Sequence, residues 1–175
     1  MKKHGIALLF IAVFAGAMFH ANAQAPYKHG IGVTLGTTQA VSYKTFIGNH
    51  FAIQLDAGTK YCYVYGSHLW SAELAPNFMY EGRLAGDLYG LIGVGGSIGY
   101  TWNNTYLYFN NYGMQASSRN GKAGTNAIFG LEYIIDSYLA FQFDFRPGYR
   151  TVFNFDGLAD HKFDWGLNFG LRYTF

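Results

Sequence analysis

Charge is scarce in this 175-residue chain: Asp, Glu, Lys and Arg make up 13% of it, about half the fraction of an ordinary soluble domain. Cysteine occurs once, at Cys62, so no internal disulfide can form, and the residue reads as a small strand side chain. Beyond the first two dozen residues no run is long and apolar enough to span a bilayer as a helix. No linker, low-complexity tract or repeat marks a boundary, so one domain is expected. The six histidines occur singly, with no pair at a metal-ligand spacing, and no metal or other cofactor is expected. No basic face is present to hold nucleic acid.

Apolar and aromatic residues are abundant instead, at 50% and 19%, with 23 glycines. The start, MKKHGIALLFIAVFAGAMFHANAQ, places Lys2 and Lys3 before an apolar run and ends it at Ala21-Asn22-Ala23. This is the layout of a secretory signal peptide over 1–23, leaving 24–175 as the mature domain. Its removal would take away two lysines and leave ten basic and ten acidic side chains, a net charge of zero.

The rest of the chain alternates. In FDWGLNFGLRYTF, 163–175, every second residue from Phe163 is apolar or aromatic, and those between are Asp, Gly, Asn, Gly, Arg and Thr. A period of two is a strand with two unlike faces. The same pattern recurs in HGIGVTLGTT, AVSYKTF, FAIQLDAGTKYCY, WSAELAPNFMYEGRL, LYGLIGVGGSIGYTW, AIFGLEYII and YLAFQFDFRPGYRTV. Pro76 weakens the fourth of these as a strand, since proline lacks the ladder donor. Tight turns are expected at 48–50, 85–87 and 136–137. Longer loops are expected at 65–69, 103–125 and 154–162. Eight strands with short turns at one end and longer loops at the other predict an all-β, eight-stranded antiparallel up-and-down transmembrane barrel.

A soluble eight-stranded barrel would have an apolar interior, so the polar face decides which way the sheet is turned. Its charged members are Lys44, Asp56, Lys60, Glu73, Glu81, Arg83, Glu132, Asp144, Arg146, Asp164 and Arg172, six acids and five bases. The rest of that face is small: Gly, Ser, Thr, Asn and Ala. It is too poor in charge for a soluble surface but suits a narrow lumen, where small residues make room for long ionic ones. The opposite face holds more aromatic bulk than such a lumen could take, and its Tyr and Trp lie toward strand ends, as in an aromatic girdle. Lumenal charges should pair with one another, giving a filled interior rather than a pore.

With these features the chain resembles the small outer-membrane β-barrel domain proteins of Gram-negative bacteria, more narrowly those of Bacteroidetes. The segments that carry the likeness are SYKTFIGNHFAIQL, LYGLIGVGGSIGY, GLEYIID, FQFDFRPGY and GLNFGLRYTF, and it covers the whole mature chain. The terminal Phe175, with Phe169, Leu171 and Tyr173 at alternate positions before it, resembles the signal read by the barrel-assembly machinery. The resemblance implies export, residence in the outer membrane among its lipids, and a porin-like fold. It implies little chemistry.

Candidate chemistry in the residues is sparse. His68, Ser71 and Glu73 are near in sequence, but their spacing does not resemble that of lipid A deacylases. Glu132 and Asp144, or Asp56 and Asp164, read as salt-bridge partners for Arg146 and Arg172 rather than as acid/base pairs. GVGGSIG at 93–99 lacks the third glycine and the following helix of a dinucleotide loop. No enzyme is expected. The 103–125 connector, with Tyr106, Tyr108, Phe109 and Tyr112 among asparagines, has the composition of an adaptable binding surface for an extracellular protein, a glycan or lipopolysaccharide. Its first half alternates, so a protruding hairpin with a flexible tip over 112–122 is expected. The expected role is structural or surface-interacting, ahead of a narrow diffusion pore and of a lipid-modifying enzyme.

Overall fold

The structure, a computed structural model, describes residues 25–64, 67–109, 112–153 and 159–175, with side-chain surroundings for these apart from 61–64, 67–70, 102–109, 112–120, 159, 160 and 162. The expected signal peptide therefore lies outside the described residues. The alternating segments form β1 (His29–Gly36), β2 (Thr38–Ile47), β3 (Phe51–Val64), β4 (Ser67–Ala85), β5 (Leu88–Phe109), β6 (Tyr112–Ile135), β7 (Leu139–Phe153) and β8 (Ala159–Thr174). Each strand pairs antiparallel with the next, and β8 closes on β1 from Gly30↔Thr174 to Gly36↔Asn168. The result is a closed up-and-down barrel, whose closure leaves no unpaired sheet edge around the wall.

Tight turns join β2–β3, β4–β5 and β6–β7, as the sequence predicts. Asp136 and Ser137 both have positive φ, 50° and 62°, the backbone a two-residue hairpin turn needs. The start of β1 and the end of β8 come to this same end of the barrel. The Thr174 amide donates to Tyr138 O at 2.8 Å, and the Phe46 amide to Lys28 O at 3.0 Å.

The opposite end departs from expectation. Most of the predicted loop residues are strand. Residues 65–66 alone separate β3 from β4, 110–111 separate β5 from β6, and 154–158 separate β7 from β8. The 112–122 segment is not a loop tip but the first half of β6, paired with β5 through to Phe109↔Tyr112. Asn, Ser and Tyr read as loop because they are polar, yet the ladder is made by the backbone and continues wherever the partner strand does. β4 and β5 stop pairing at Trp70↔Trp102, and the described pairing of β6 with β7 runs to Gly121↔Phe153. Among the described residues, 103–109 and 112–118 thus pair only with each other, a ribbon about 24 Å long at ~3.4 Å per residue.

The barrel closes through a close approach of β1 and β8. A Cβ on Gly32 would lie 1.9 Å from Leu171 O and 2.6 Å from Arg172 Cα. Gly32→Val should cost roughly 1–3 kcal/mol or prevent closure, read as reduced recovery of folded barrel after refolding. Gly121→Ala, where a Cβ meets nothing within 4 Å, is the neutral control.

Two strand junctions are interrupted without losing register. Pairing of β4 with β5 skips from Leu74↔Ile98 to Asn77↔Gly95, around Pro76, and that of β6 with β7 skips from Asn126↔Gly148 to Phe129↔Phe145, around Pro147. Each proline lacks an N–H on the side facing the β5–β6 hairpin. The other sides stay paired, Leu55↔Pro76 and Pro147↔Trp165, so Pro76 bends the ladder without ending the strand.

Candidate functional site

The sheet is turned inside out relative to a soluble barrel. Asp144 is 0% exposed, while its neighbours Phe143 and Phe145 are 45% and 38% exposed. Arg172 is likewise buried between exposed Leu171 and Tyr173. The outward residues Ile31, Val33, Val41, Tyr43, Leu74 and Phe78 form the same apolar surface on other strands. The lumen is the candidate site, and it is built in tiers from the turn end upward.

The lowest tier is an apolar floor that parity could have revealed: Phe46, Met79, Leu91, Ile128 and Ile134 share the lumenal face with charged residues of their own or adjacent strands and are buried. Tyr27, from the segment before β1, folds into this floor and stacks edge-on against Phe46 at 5.1 Å between centroids. Its hydroxyl donates to Glu132 at 2.5 Å. Burial, reinforced by the Glu132 and Glu81 carboxylates, pushes the Tyr27 phenol well above its ordinary value, so it stays a neutral donor. Position 27 lies outside every alternating run, so nothing in the sequence marked it.

Above the floor, Lys44 sits between Glu81 and Glu132 and is ion-paired with both. Its ammonium also lies 5.3 Å from the Phe46 ring centroid and 5.7 Å from that of Tyr27, within cation–π range. Glu81 depends on this contact with Lys44, its one ion-pair partner among the described residues. Arg172 donates to Gln142 Oε1 at 2.7 Å and to Ser42 Oγ at 3.2 Å.

The middle tier centres on Arg146. It donates to Asp56 at 2.7 Å and to Asp144 at 2.6 and 3.1 Å. Gln54 and Asn77 donate to Asp56, and Gln142 and Asn168 to Asp144, so both carboxylates are nearly saturated. The upper tier joins Lys60 to Asp164 at 2.6 Å and Arg150 to Asp164 at 3.5 Å. Lys122 pairs with Glu73 and donates to Ser71 at 2.9 Å. Between the middle and upper tiers is a polar cavity of about 30 Å³, lined in part by Lys60, Arg146, Arg150 and Asp164, room for a water or two.

Ten of the eleven charged positions inferred from the sequence therefore have their side chains inside this lumen. Arg83 does not. It is 50% exposed at the turn end, where it reaches Asp87 at 3.7 Å and donates to Gly86 O. Arg83 keeps the strand register, paired with buried Tyr89 ahead of the β-bulge, but it stands at the rim and its long side chain turns to the adjoining turn instead of the lumen. Sequence reasoning missed Lys122 and Arg150, although counting by twos back from Glu132 and on from Arg146 reaches both. With them, the described lumen holds Lys44, Lys60, Lys122, Arg146, Arg150 and Arg172 against Asp56, Glu73, Glu81, Glu132, Asp144 and Asp164. It is electrically neutral.

The terminal aromatics Phe169, Tyr173 and Phe175, with Leu171, all face outward on or just beyond β8, and Tyr173 stacks on Phe175 at 6.2 Å. The backbones of Tyr106, Tyr108, Phe109 and Tyr112 belong to the protruding β5–β6 ribbon, and their side chains lie outside what is described. Among the described residues no group of three or more His, Cys, Asp or Glu converges as a metal site. No protein-family model and no curated protein matches this chain.

Proposed function

We propose that this chain is an integral outer-membrane protein of a Gram-negative bacterium. In this reading it is exported by a cleaved signal peptide, inserted through recognition of its C-terminal aromatics, and held among outer-membrane lipids by its apolar belt. Its role is non-catalytic, structural or surface-interacting, and its lumen is closed by the charge network. The observation that carries the reading is sidedness: wholly buried Asp144, Glu132, Lys44 and Arg172 stand back to back with exposed Phe143, Tyr133, Tyr43 and Leu171. An exposed apolar surface of this extent is a liability in water and a requirement in hydrocarbon. The closed ladder suits lipid for the same reason, since almost every backbone polar group is paired within the wall.

The β5–β6 ribbon supports the surface role. Among the described residues it extends past its neighbours on both sides, and it carries the Tyr- and Asn-rich sequence of the candidate contact residues. The small polar cavity under the upper tier favours a second reading, a narrow diffusion pore, but the floor and the two lower tiers fill the path beneath it.

Two measurements test these readings. Detergent-extracted protein should migrate faster on a gel before boiling than after it, and should give no conductance steps in a planar bilayer. Stable steps would favour the pore. Deleting residues 106–120 should leave the heat-sensitive migration intact and abolish retention of expressing cells on immobilised glycan or matrix protein. Unchanged retention would remove the ribbon from the role.

A further inference from the structure

We propose that the upper tier of the lumen binds one small inorganic anion of the halide class, such as chloride, in the polar cavity beside Lys60 and Arg150. The lumen is neutral as a whole but not tier by tier. Above the floor, Lys44 and Arg172 balance Glu81 and Glu132. In the middle tier Arg146 stands alone against Asp56 and Asp144, a surplus of one negative charge. Amide donors meet that surplus: Gln54 and Asn77 donate to Asp56, and Gln142 and Asn168 to Asp144. In the upper tier the described cations are Lys60, Lys122 and Arg150, and the described carboxylates are Glu73 and Asp164. One positive charge is left over there.

The surplus falls at Asp164. Glu73 is taken by Lys122, so Lys60 and Arg150 both turn to a single oxygen, Asp164 Oδ2, at 2.6 and 3.5 Å. That oxygen holds Lys60 closely and Arg150 loosely. The Lys60 ammonium has three N–H donors, and among the described residues Asp164 is its one partner. The cavity of about 30 Å³ lies beside these groups. Its charged lining is Lys60, Arg146 and Arg150 against Glu73 and Asp164. Arg146 lines it and the two carboxylates that hold Arg146 do not, so the negative surplus of the middle tier stands behind a guanidinium. Thr38 and Ser97 add hydroxyls. The space suits one ion little larger than a water. A water there would leave the extra cation uncompensated in a part-buried site, whereas a halide neutralises the tier.

The Lys60 and Asp164 side chains are 13% and 15% exposed, while Lys44 and Arg172 below them are wholly buried. The ion therefore enters and leaves at the loop end and goes no farther, so its binding gives no conductance. The site is a property of the lumen and needs no particular surroundings for the outer wall.

The full barrel in detergent micelles is titrated with chloride at constant ionic strength, gluconate making up the difference, and the width of the chloride NMR line is followed. The excess width should saturate as for one site. Lys60→Met should weaken binding by about tenfold or more, since it removes one of two cations in contact with the ion. Asp164→Asn should act in the opposite sense and tighten binding several-fold, because the competing carboxylate is gone and both cations remain. A purely structural ion pair predicts no such opposition. Lys28→Met, exposed at the turn end, should change nothing. If Lys60→Met loses heat-sensitive migration, Arg150→Gln takes its place with the same expected weakening.

An excess width that never saturates would leave the cavity to water and overturn the proposal. Binding unchanged in Lys60→Met, or weakened as much by Lys28→Met, would assign the chloride to surface cations and overturn it too. Weaker binding in Asp164→Asn would show that surplus charge does not hold the ion, with the same consequence. Each of these outcomes leaves the outer-membrane reading standing.

Discussion

Lys44→Met should destabilise the folded barrel by roughly 3–5 kcal/mol, the cost of removing one partner from a buried ion pair. Lys44 is wholly buried and is ion-paired with both Glu81 and Glu132. Without it the two carboxylates share a small volume above the apolar floor, with Tyr27 and the more distant Arg172 as support. Glu81 suffers most, because Lys44 is the one partner it has among the described residues. The measurement is equilibrium unfolding in urea, followed by tryptophan fluorescence of protein in lipid vesicles. The triple variant Lys44→Met, Glu81→Gln, Glu132→Gln should recover much of the loss, since a neutral tier no longer buries uncompensated charge. A loss that the triple variant does not relieve would mean that Lys44 acts through packing rather than through its charge.

The second large effect is on the outer face. Phe143 is 45% exposed on β7 and packs edge-on against Phe169, with centroids 5.7 Å apart. If that face meets hydrocarbon, Phe143→Arg should cost about 2–4 kcal/mol near the midplane. If it meets water, the same change on an exposed position should stay within about 0.5 kcal/mol. The gap between those values is large enough for the same urea titration to decide. Leu167→Arg on the neighbouring strand should behave alike, because Phe145↔Leu167 places it beside the same surface.

Much of this fold is legible because alternation is a strong signal and its contrast is high. In 163–175 the apolar and polar sets do not mix, and β8 has the matching exposed and buried residues at Phe169, Gly170, Leu171 and Arg172. The polar face told the inside from the outside because it was too poor in charge to serve as a soluble surface. Arg150 and Lys122 share that parity. Arg150 stands four residues beyond Arg146 on one strand, and Lys122 was set aside in a stretch whose composition looked like loop. Composition was the weaker guide there: β6 begins at Tyr112 because its backbone has β5 to pair with, whatever its side chains are.

Two features had no local signal. Arg83 keeps strand parity, paired with Tyr89, yet at the rim its side chain turns to Asp87 and Gly86 O in the adjoining turn. Tyr27 belongs to no strand, and its place under Glu132 arises only once the barrel has closed and Phe46 and Lys44 frame a site for its ring. Both are consequences of tertiary geometry. The apolar floor lies between these cases. Phe46, Met79 and Leu91 sat on the lumenal parity in plain view, but a lumen thought of as polar hides them.

The most direct test of sidedness is collision accessibility of spin labels. Cys62→Ser supplies a cysteine-free background, into which single cysteines are placed at Phe143, Leu167 and Phe169, and the labelled barrels are reconstituted in phosphatidylcholine vesicles. Labels at all three sites should collide freely with oxygen, which partitions into hydrocarbon, and rarely with a water-soluble nickel chelate. Ready collision with the nickel chelate at these positions would put the aromatic face in water and contradict the account.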